Sequence, residues 1–163
     1  MPAPIDLPDQ AATEALGASL AALLRPGDVV LLRGPIGAGK STLVRALLRA
    51  AAGDAALEVP SPTFTLVQSY DLPRFRAHHF DLWRLQQPPA HGLGAHGPGA
   101  HGLGALHELG WAEALRDVVL VEWPERLGAE APENALTITL EPLGDSARRA
   151  VLSGWPGRLE LSV

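Results

Sequence analysis

Apolar positions in the first third of the chain change between helical and strand-like spacing. Residues 9–24 carry apolar side chains three and four positions apart behind the candidate N-cap Asp9, which predicts a helix. Residues 29–32 are a continuous apolar run, which is typical of a strand buried on both faces of a parallel sheet. Residues 41–52 again have helical spacing and end at Gly53. The pattern therefore predicts a strand, a glycine-rich loop and a helix in that order.

The rest of the chain is dominated by strand-like patterns. It predicts a two-stranded hairpin, a short helix, a buried strand and three C-terminal strands, at residues 64–70, 76–83, 106–116, 118–121, 136–140, 148–152 and 158–163. Together with the first three elements, these predict one α/β domain over residues 1–163. We expect a mostly parallel central sheet flanked by helices, with an antiparallel hairpin and C-terminal strands.

Residues 88–105 interrupt this pattern with repeats. Three five-residue copies, each of the form Ala-His-Gly-x-Gly, contain too much glycine for a stable helix or strand, so we expect a flexible loop within the domain. The alternative is a metal site made by the three histidines His91, His96 and His101. Imidazoles on a mobile loop have no fixed hydrogen-bond partners to orient them, so the loop interpretation is favoured.

Composition and charge narrow the class of protein. The chain has 163 residues, 47% of them hydrophobic and 19% charged, as in a globular domain, and no apolar run reaches the roughly 18 residues of a membrane span. The first residues do not resemble a secretory signal, so we expect a cytoplasmic protein without a membrane partner. The formal charge is −5, which disfavours strong direct binding of RNA. The absence of cysteine excludes disulfides and thiolate metal sites.

The glycine-rich loop carries the clearest chemistry. Residues 34–41 match the phosphate-binding pattern G-x-x-x-x-G-K-[ST] in full, between the predicted strand and helix. In this pattern backbone N–H groups cradle phosphates at the positive end of the helix, the lysine bridges the outer phosphates and the hydroxyl ligates Mg²⁺. Lys40 is the only lysine in the chain. The expected nucleotide-binding residues of this P-loop are Gly34, Gly37, Ala38, Gly39, Lys40, Ser41 and Thr42.

A Mg²⁺ ion on Ser41 requires a carboxylate nearby, usually at the end of a neighbouring strand. Glu122 ends the apolar run at residues 118–121, and Asp81 closes a segment of the predicted hairpin. Either carboxylate fits this role from its position alone. One of them is expected to hold the metal and the other to orient water.

The identity of the nucleotide follows from an exclusion. Guanine-specific GTPases use an Asn-Lys-x-Asp type motif, and no second lysine is present to supply it, so ATP is favoured. A small-molecule kinase of this fold usually closes an arginine-bearing lid over the phosphates, and the inserted residues 88–105 contain no arginine. This counts against a kinase, which is kept as the enzymatic alternative. A nucleotide-dependent binding switch with incidental hydrolysis is the non-enzymatic alternative.

Several segments together resemble the TsaE (YjeE) ATPases of bacterial tRNA threonylcarbamoyladenosine synthesis. The segments are, in order, Leu-Pro-Asp at 7–9, the P-loop at 34–42, Ser-Pro-Thr-Phe-Thr-Leu-Val at 61–67, His-Phe-Asp-Leu-Trp-Arg-Leu at 79–85 and Leu-Val-Glu-Trp-Pro at 120–124. Trp83 stands where this family more often has tyrosine, and the similarity becomes diffuse after Glu141. The repeats lengthen a connection that is normally short.

The resemblance implies a weak ATPase that binds the TsaB–TsaD protein pair and reaches tRNA only through that complex. It implies that Lys40 is catalytic, that Ser41 and Glu122 hold Mg²⁺, and that Asp81 orients water or makes an outer contact. Hydrolysis by the isolated chain should be slow, because no arginine is evidently placed to stabilise the transition state. The remaining residues implied are Pro8 against the adenine, Thr63 as a γ-phosphate sensor, Trp123 near the nucleotide or a partner, and Arg148 as a phosphate or ribose contact.

Overall fold

A computed structural model describes residues 3–85 and 103–161 of the chain. The strands are β1 (Ile5–Leu7), β2 (Val29–Arg33), β3 (Val67–Asp71), β4 (Arg76–Asp81), β5 (Val118–Glu122), β6 (Leu136–Leu143) and β7 (Ala147–Ser153). The helices are α1 (Gln10–Leu23), α2 (Lys40–Ala52), α3 (Leu103–Glu108) and α4 (Trp111–Ala114), and a 3₁₀ segment covers Pro124–Glu130.

The strands form one mixed sheet in the order β1-β7-β6-β2-β5-β4-β3. The four central strands, β6, β2, β5 and β4, are parallel, while β3, β7 and β1 are added antiparallel at the two sides. The predicted α/β fold with a parallel centre, a hairpin and antiparallel C-terminal strands is confirmed. The register pairs Asp81 on β4 with Glu122 on β5, so both carboxylates lie at the carboxyl edge of the sheet.

Two hydrophobic cores cover the faces of the sheet. On one face, α1 and α2 pack over alternate residues of the central strands, including Leu120. On the other face, α3 and α4 pack over the intervening residues, including Val119 and Val121, around the buried ring of Trp111. Strand β5 is therefore buried on both faces, as its continuous apolar run predicts. No helix in the described ranges is long and apolar enough to cross a membrane.

The first predicted helix is confirmed, and the prediction of the hairpin needs correction at its ends. Asp9 is the N-cap of α1, and its carboxylate accepts a hydrogen bond from the Ala12 N–H at 2.8 Å. Strand β3 begins at Val67 and not at residue 64, because Leu66 has a φ of +67° and its N–H is bonded back to Pro62. Strand β4 ends at Asp81, whose side chain accepts from the backbone N–H two residues later and turns the chain.

The helix predicted at residues 106–116 is divided into α3 and α4. Gly110 lies between them with a φ of +79°, a conformation that ends a helix. Helix α3 already begins at Leu103, so the last three positions of the loop predicted at 88–105 belong to this helix. The other positions of that loop, with His91, His96 and His101, lie outside the described residues.

The chain termini differ from the prediction as well. Residues 158–161 are not a strand, because Trp155 has a φ of +47° and a turn follows it at residues 156–158. Leu159 and Leu161 instead pack against the first core. Strand β1 pairs with β7 and was not predicted, since three residues between prolines are too short to show a period.

Candidate active site

The glycine-rich loop joins β2 to α2 and forms the floor of a cavity of about 420 Å³. Gly37 and Gly39 have φ values of +78° and +101°, so side chains are disfavoured at both. Helix α2 begins at Lys40 without a side-chain cap, which leaves its first N–H groups free to bind an anion. The cavity is lined by Ile36, Gly37, Ala38, Gly39, Lys40, Ser41, Thr42, Ser61, Thr63, Asp81, Trp83, Glu122, Trp123 and Arg148.

The cavity thus brings together the predicted site residues with two exceptions. Pro8 is exposed at the start of α1 and does not line it. Gly34 lies beneath the loop with a φ of +145°, and a Cβ there would be 2.6 Å from the Leu140 carbonyl oxygen of β6. Glycine is required at position 34 by this close approach of two backbones.

The Lys40 side chain is held by hydrogen bonds to its own loop and by contact with an aromatic ring. Its Nζ donates to the carbonyl oxygens of Gly34 at 2.5 Å and Pro35 at 2.9 Å, and lies 4.1 Å from the centre of the Trp123 ring. Only 5% of Lys40 is exposed, and this burial lowers the pKa of its amine, while Glu122 opposes the shift. Phosphate oxygens at Nζ would add to the negative charge of Glu122 and further offset the cost of burying this ammonium group.

The aromatic ring over Lys40 depends on an unusual backbone conformation. Trp123 has a φ of +59°, which costs roughly 1–3 kcal/mol for a residue with a side chain. It directly follows Glu122 and precedes Pro124 at the start of the 3₁₀ segment. The Trp83 ring packs against it with 4.4 Å between ring centres. The two indole rings together form one wall of the cavity.

Ser41 and Glu122 form the candidate metal site. The Ser41 hydroxyl lies 3.2 Å from each carboxylate oxygen of Glu122, and the same carboxylate accepts from His79 Nε2 at 2.8 Å. Oxygen donors of this kind suit Mg²⁺, which takes few protein ligands and completes its shell with water and phosphate oxygens. In keeping with this, the described residues hold no cluster of three or more His, Cys, Asp or Glu side chains that would enclose a metal alone.

Asp81 occupies a separate hydrogen-bond network beside Glu122. Its Oδ2 accepts from the Ser61 and Thr63 hydroxyls at 3.1 and 3.2 Å, and its Oδ1 accepts from the Trp83 N–H at 3.0 Å. These bonds fix the carboxylate at the cavity wall, away from the direct contact with Ser41 that Glu122 makes. The two carboxylates therefore have different hydrogen-bond partners, although their positions in the sequence alone fit either role.

Arg148 binds the outer side of the P-loop. Its Nε and Nη2 donate to the carbonyl oxygens of Ala38 and Gly37, each at 3.1 Å, and its Nη1 donates to Ala147 at 2.8 Å. These bonds engage two carbonyl oxygens of the P-loop and help to hold the loop in place. Among the cavity-lining residues that the structure describes, Arg148 is the only arginine.

The sequence patterns assign no role to Ile36, Ser61, Trp83 or His79. Ser61 and Trp83 stand in quoted motifs, but their part in the site follows from bonds to Asp81 and Trp123 across the fold. His79 reaches Glu122 from a neighbouring strand. Strand pairing, which single-sequence patterns do not supply, was the missing signal.

Comparisons with known proteins agree with this fold. The family model for the threonylcarbamoyl adenosine biosynthesis protein TsaE matches residues 7–151. The tRNA threonylcarbamoyladenosine biosynthesis protein TsaE of Rickettsia felis is 33% identical over 137 residues, which cover 83% of this chain and 71% of that protein. The protein of the same name from Nostoc sp. is 32% identical over 152 residues, covering 91% and 84%. The crystal structure of Bacillus subtilis YdiB has the same fold, with a TM-score of 0.70 and 23% identity, over 93% of this chain and 84% of that one.

Proposed function

This chain belongs to the TsaE family, which takes part in tRNA threonylcarbamoyladenosine biosynthesis, and on that premise we propose that it is an ATP-binding subunit that hydrolyses ATP weakly. It acts in the cytoplasm with the TsaB–TsaD pair, which holds the tRNA. One observation carries the proposal. Lys40, Ser41 and Glu122 converge at the uncapped amino end of α2, in one cavity floored by the P-loop.

The triphosphate would lie along the P-loop, with its outer phosphates between Lys40 and Ser41. Mg²⁺ would be held by Ser41 and Glu122 and, when bound, would neutralise charge that develops on the phosphates. Glu122 takes the metal role because the Ser41 hydroxyl contacts its carboxylate directly. A neighbouring recess of about 230 Å³ has the space to receive the nucleoside. This recess shares Gly39, Thr42 and Arg148 with the cavity, and Gln10 on its wall is close in sequence to Pro8.

Hydrolysis requires a group that orients water toward the γ-phosphate. Asp81 takes this role because its carboxylate lies in the cavity and is fixed by Ser61 and Thr63. The head group of Arg148 is occupied by backbone carbonyls, so it is not available to stabilise the transition state. Turnover by the isolated chain should therefore be slow, and a partner protein would complete the site.

Two further residues link the nucleotide to the surface. The Thr63 hydroxyl donates to Asp81, and a γ-phosphate oxygen would compete for this proton. The next residue, Phe64, is 80% exposed, so a change at Thr63 would be transmitted to the protein surface. Trp123 would respond to the nucleotide as well, because its ring lies 4.1 Å from the Lys40 Nζ that would bind a phosphate.

The identity of the nucleotide can be tested by calorimetry. Titration of the purified chain should show binding of ATP in Mg²⁺ and no tighter binding of GTP, since no Asn-Lys-x-Asp type lysine is present to read guanine. EDTA should weaken ATP binding, because Ser41 and Glu122 act through the metal. Tighter binding of GTP than of ATP would contradict the assignment of ATP. Failure to bind either nucleotide would contradict the proposed function.

A further inference from the structure

His79 is a buried histidine to which the proposed mechanism gives no role. It lies on β4 opposite Leu120 of β5, and only 1% of it is exposed. Its Nε2 is 2.8 Å from Glu122 Oε1, while its Nδ1 is buried and has no hydrogen-bond partner in the described structure. A buried polar side chain with one bond to a functional carboxylate calls for a physical explanation.

The contacts identify which ring nitrogen carries the proton. The Glu122 carboxylate only accepts hydrogen bonds, so the nitrogen that faces it must be the donor, which is Nε2. The opposite tautomer would bring two lone pairs together and bury an unpaired N–H at Nδ1, at a cost of roughly 1–3 kcal/mol for that group alone. The hydrogen-bond network therefore assigns the Nε2–H tautomer.

This tautomer bears on which oxygen of Glu122 accepts the hydrogen bond from the Ser41 hydroxyl. The Ser41 hydroxyl lies at the same distance, 3.2 Å, from both carboxylate oxygens, but it can donate to only one of them. His79 already uses one lone pair of Oε1, which favours Oε2 as the acceptor of the Ser41 proton. The lone pairs of Ser41 Oγ then remain free for a cation.

We propose that His79 is a positioning residue that orients Glu122 and, through it, the Ser41 hydroxyl for Mg²⁺. The inference rests on the proposed function, since it concerns the metal of the same site. A histidine that only fills the core would stabilise the fold without affecting the metal, and the two roles can be separated by experiment.

The neighbouring His78 offers a matched control. It occupies the preceding position on β4, so its side chain leaves the opposite face of the sheet. It also bonds a carboxylate, with Nε2 2.9 Å from Asp117 Oδ2, and its Nδ1 is 2.8 Å from the Ser69 hydroxyl. Removing it should affect stability without affecting the nucleotide cavity, because none of its partners lines that cavity.

The test measures the ratio of ATP affinity in Mg²⁺ to ATP affinity in EDTA. His79→Leu should lower this ratio roughly tenfold, as is common when a residue that orients a metal ligand is lost, and should leave the affinity in EDTA unchanged. His79→Gln should retain most of the ratio, because its amide N–H can reach the Nε2 position. His78→Leu should leave the ratio unchanged. In a Glu122→Gln background, His79→Leu should produce no further loss.

An unchanged ratio in His79→Leu, or an equal fall in His78→Leu, would overturn the proposal. If His79→Leu does not fold, the affinity ratios of His79→Gln and His79→Asn are compared instead. The shorter asparagine cannot reach Glu122, so equal ratios in these two variants would overturn it too. NMR of the imidazole nitrogens in the nucleotide-free protein should show His79 protonated on Nε2, and protonation on Nδ1 would contradict the inference even where ATP binds normally. A wild-type chain that binds no ATP would instead contradict the proposed function itself.

Discussion

Replacing Lys40 with alanine is expected to weaken MgATP binding by about 100-fold while the fold is retained. Hydrogen bonds to charged groups contribute roughly 1.5–3 kcal/mol, and the upper end applies to a buried ammonium group that meets the outer phosphates. Lys40 is 5% exposed, and burial lowers the pKa of its amine although Glu122 opposes this, so phosphate oxygens at Nζ would offset a cost that the ligand-free site leaves. The side chain bonds only backbone carbonyls of its own loop, so its removal should spare the core.

Calorimetry of the wild-type and variant chains measures this effect. Lys40→Arg should recover only part of the affinity, because a planar guanidinium does not fit where Nζ lies between two carbonyls and the Trp123 ring. Arg45→Ala removes a positive charge from the same helix outside the cavity and should change affinity less than threefold. Unchanged ATP affinity in Lys40→Ala would contradict the assignment of the P-loop.

Substitutions of the two carboxylates at the carboxyl edge of the sheet should have different effects on ATP binding and turnover. Glu122→Gln is expected to reduce both Mg²⁺-dependent ATP binding and turnover by at least about 100-fold, because it removes the charge that faces Ser41. Asp81→Asn should keep ATP affinity within threefold of wild type but lower turnover by roughly 100-fold, in the range that a group acting on the attacking water contributes. Both amides keep the shape of the side chain they replace.

Equilibrium titration and single-turnover hydrolysis separate these outcomes. If Asp81→Asn lost Mg²⁺-dependent binding while Glu122→Gln kept it, the two roles would have to be exchanged. If both variants lost binding equally, the two carboxylates would act as one metal site. The hydrogen bonds of Asp81 to Ser61 and Thr63 argue against that arrangement.

The chemistry of the P-loop could be predicted from the sequence because it is local. The pattern around Lys40 and Ser41 needs only a preceding strand and a following helix, and both are evident in the apolar spacing. The continuous run before Glu122 likewise indicates a central strand, since only a strand covered on both faces has no polar alternation. These signals predicted the carboxyl edge of the sheet as the site.

The remainder of the site depends on pairing between distant segments. A period of two cannot show which of the neighbouring His78 and His79 contacts Glu122 until the partners of β4 are known. Glycine at position 34 is explained by the Leu140 carbonyl, which is over a hundred residues away. The turn after Trp155 depends on a positive φ that no sequence period indicates. Short-range patterns therefore predicted the elements better than their ends and contacts.

The most direct test of the proposed role is ATP turnover in the presence of purified TsaB and TsaD. We expect turnover to be slow for the chain alone, because Arg148 is bound to backbone carbonyls, and to rise at least about tenfold when both partners are added. A Lys40→Ala chain added to the same partners should show no such rise. No complex and no stimulation, with both partners active in their own assays, would contradict the account.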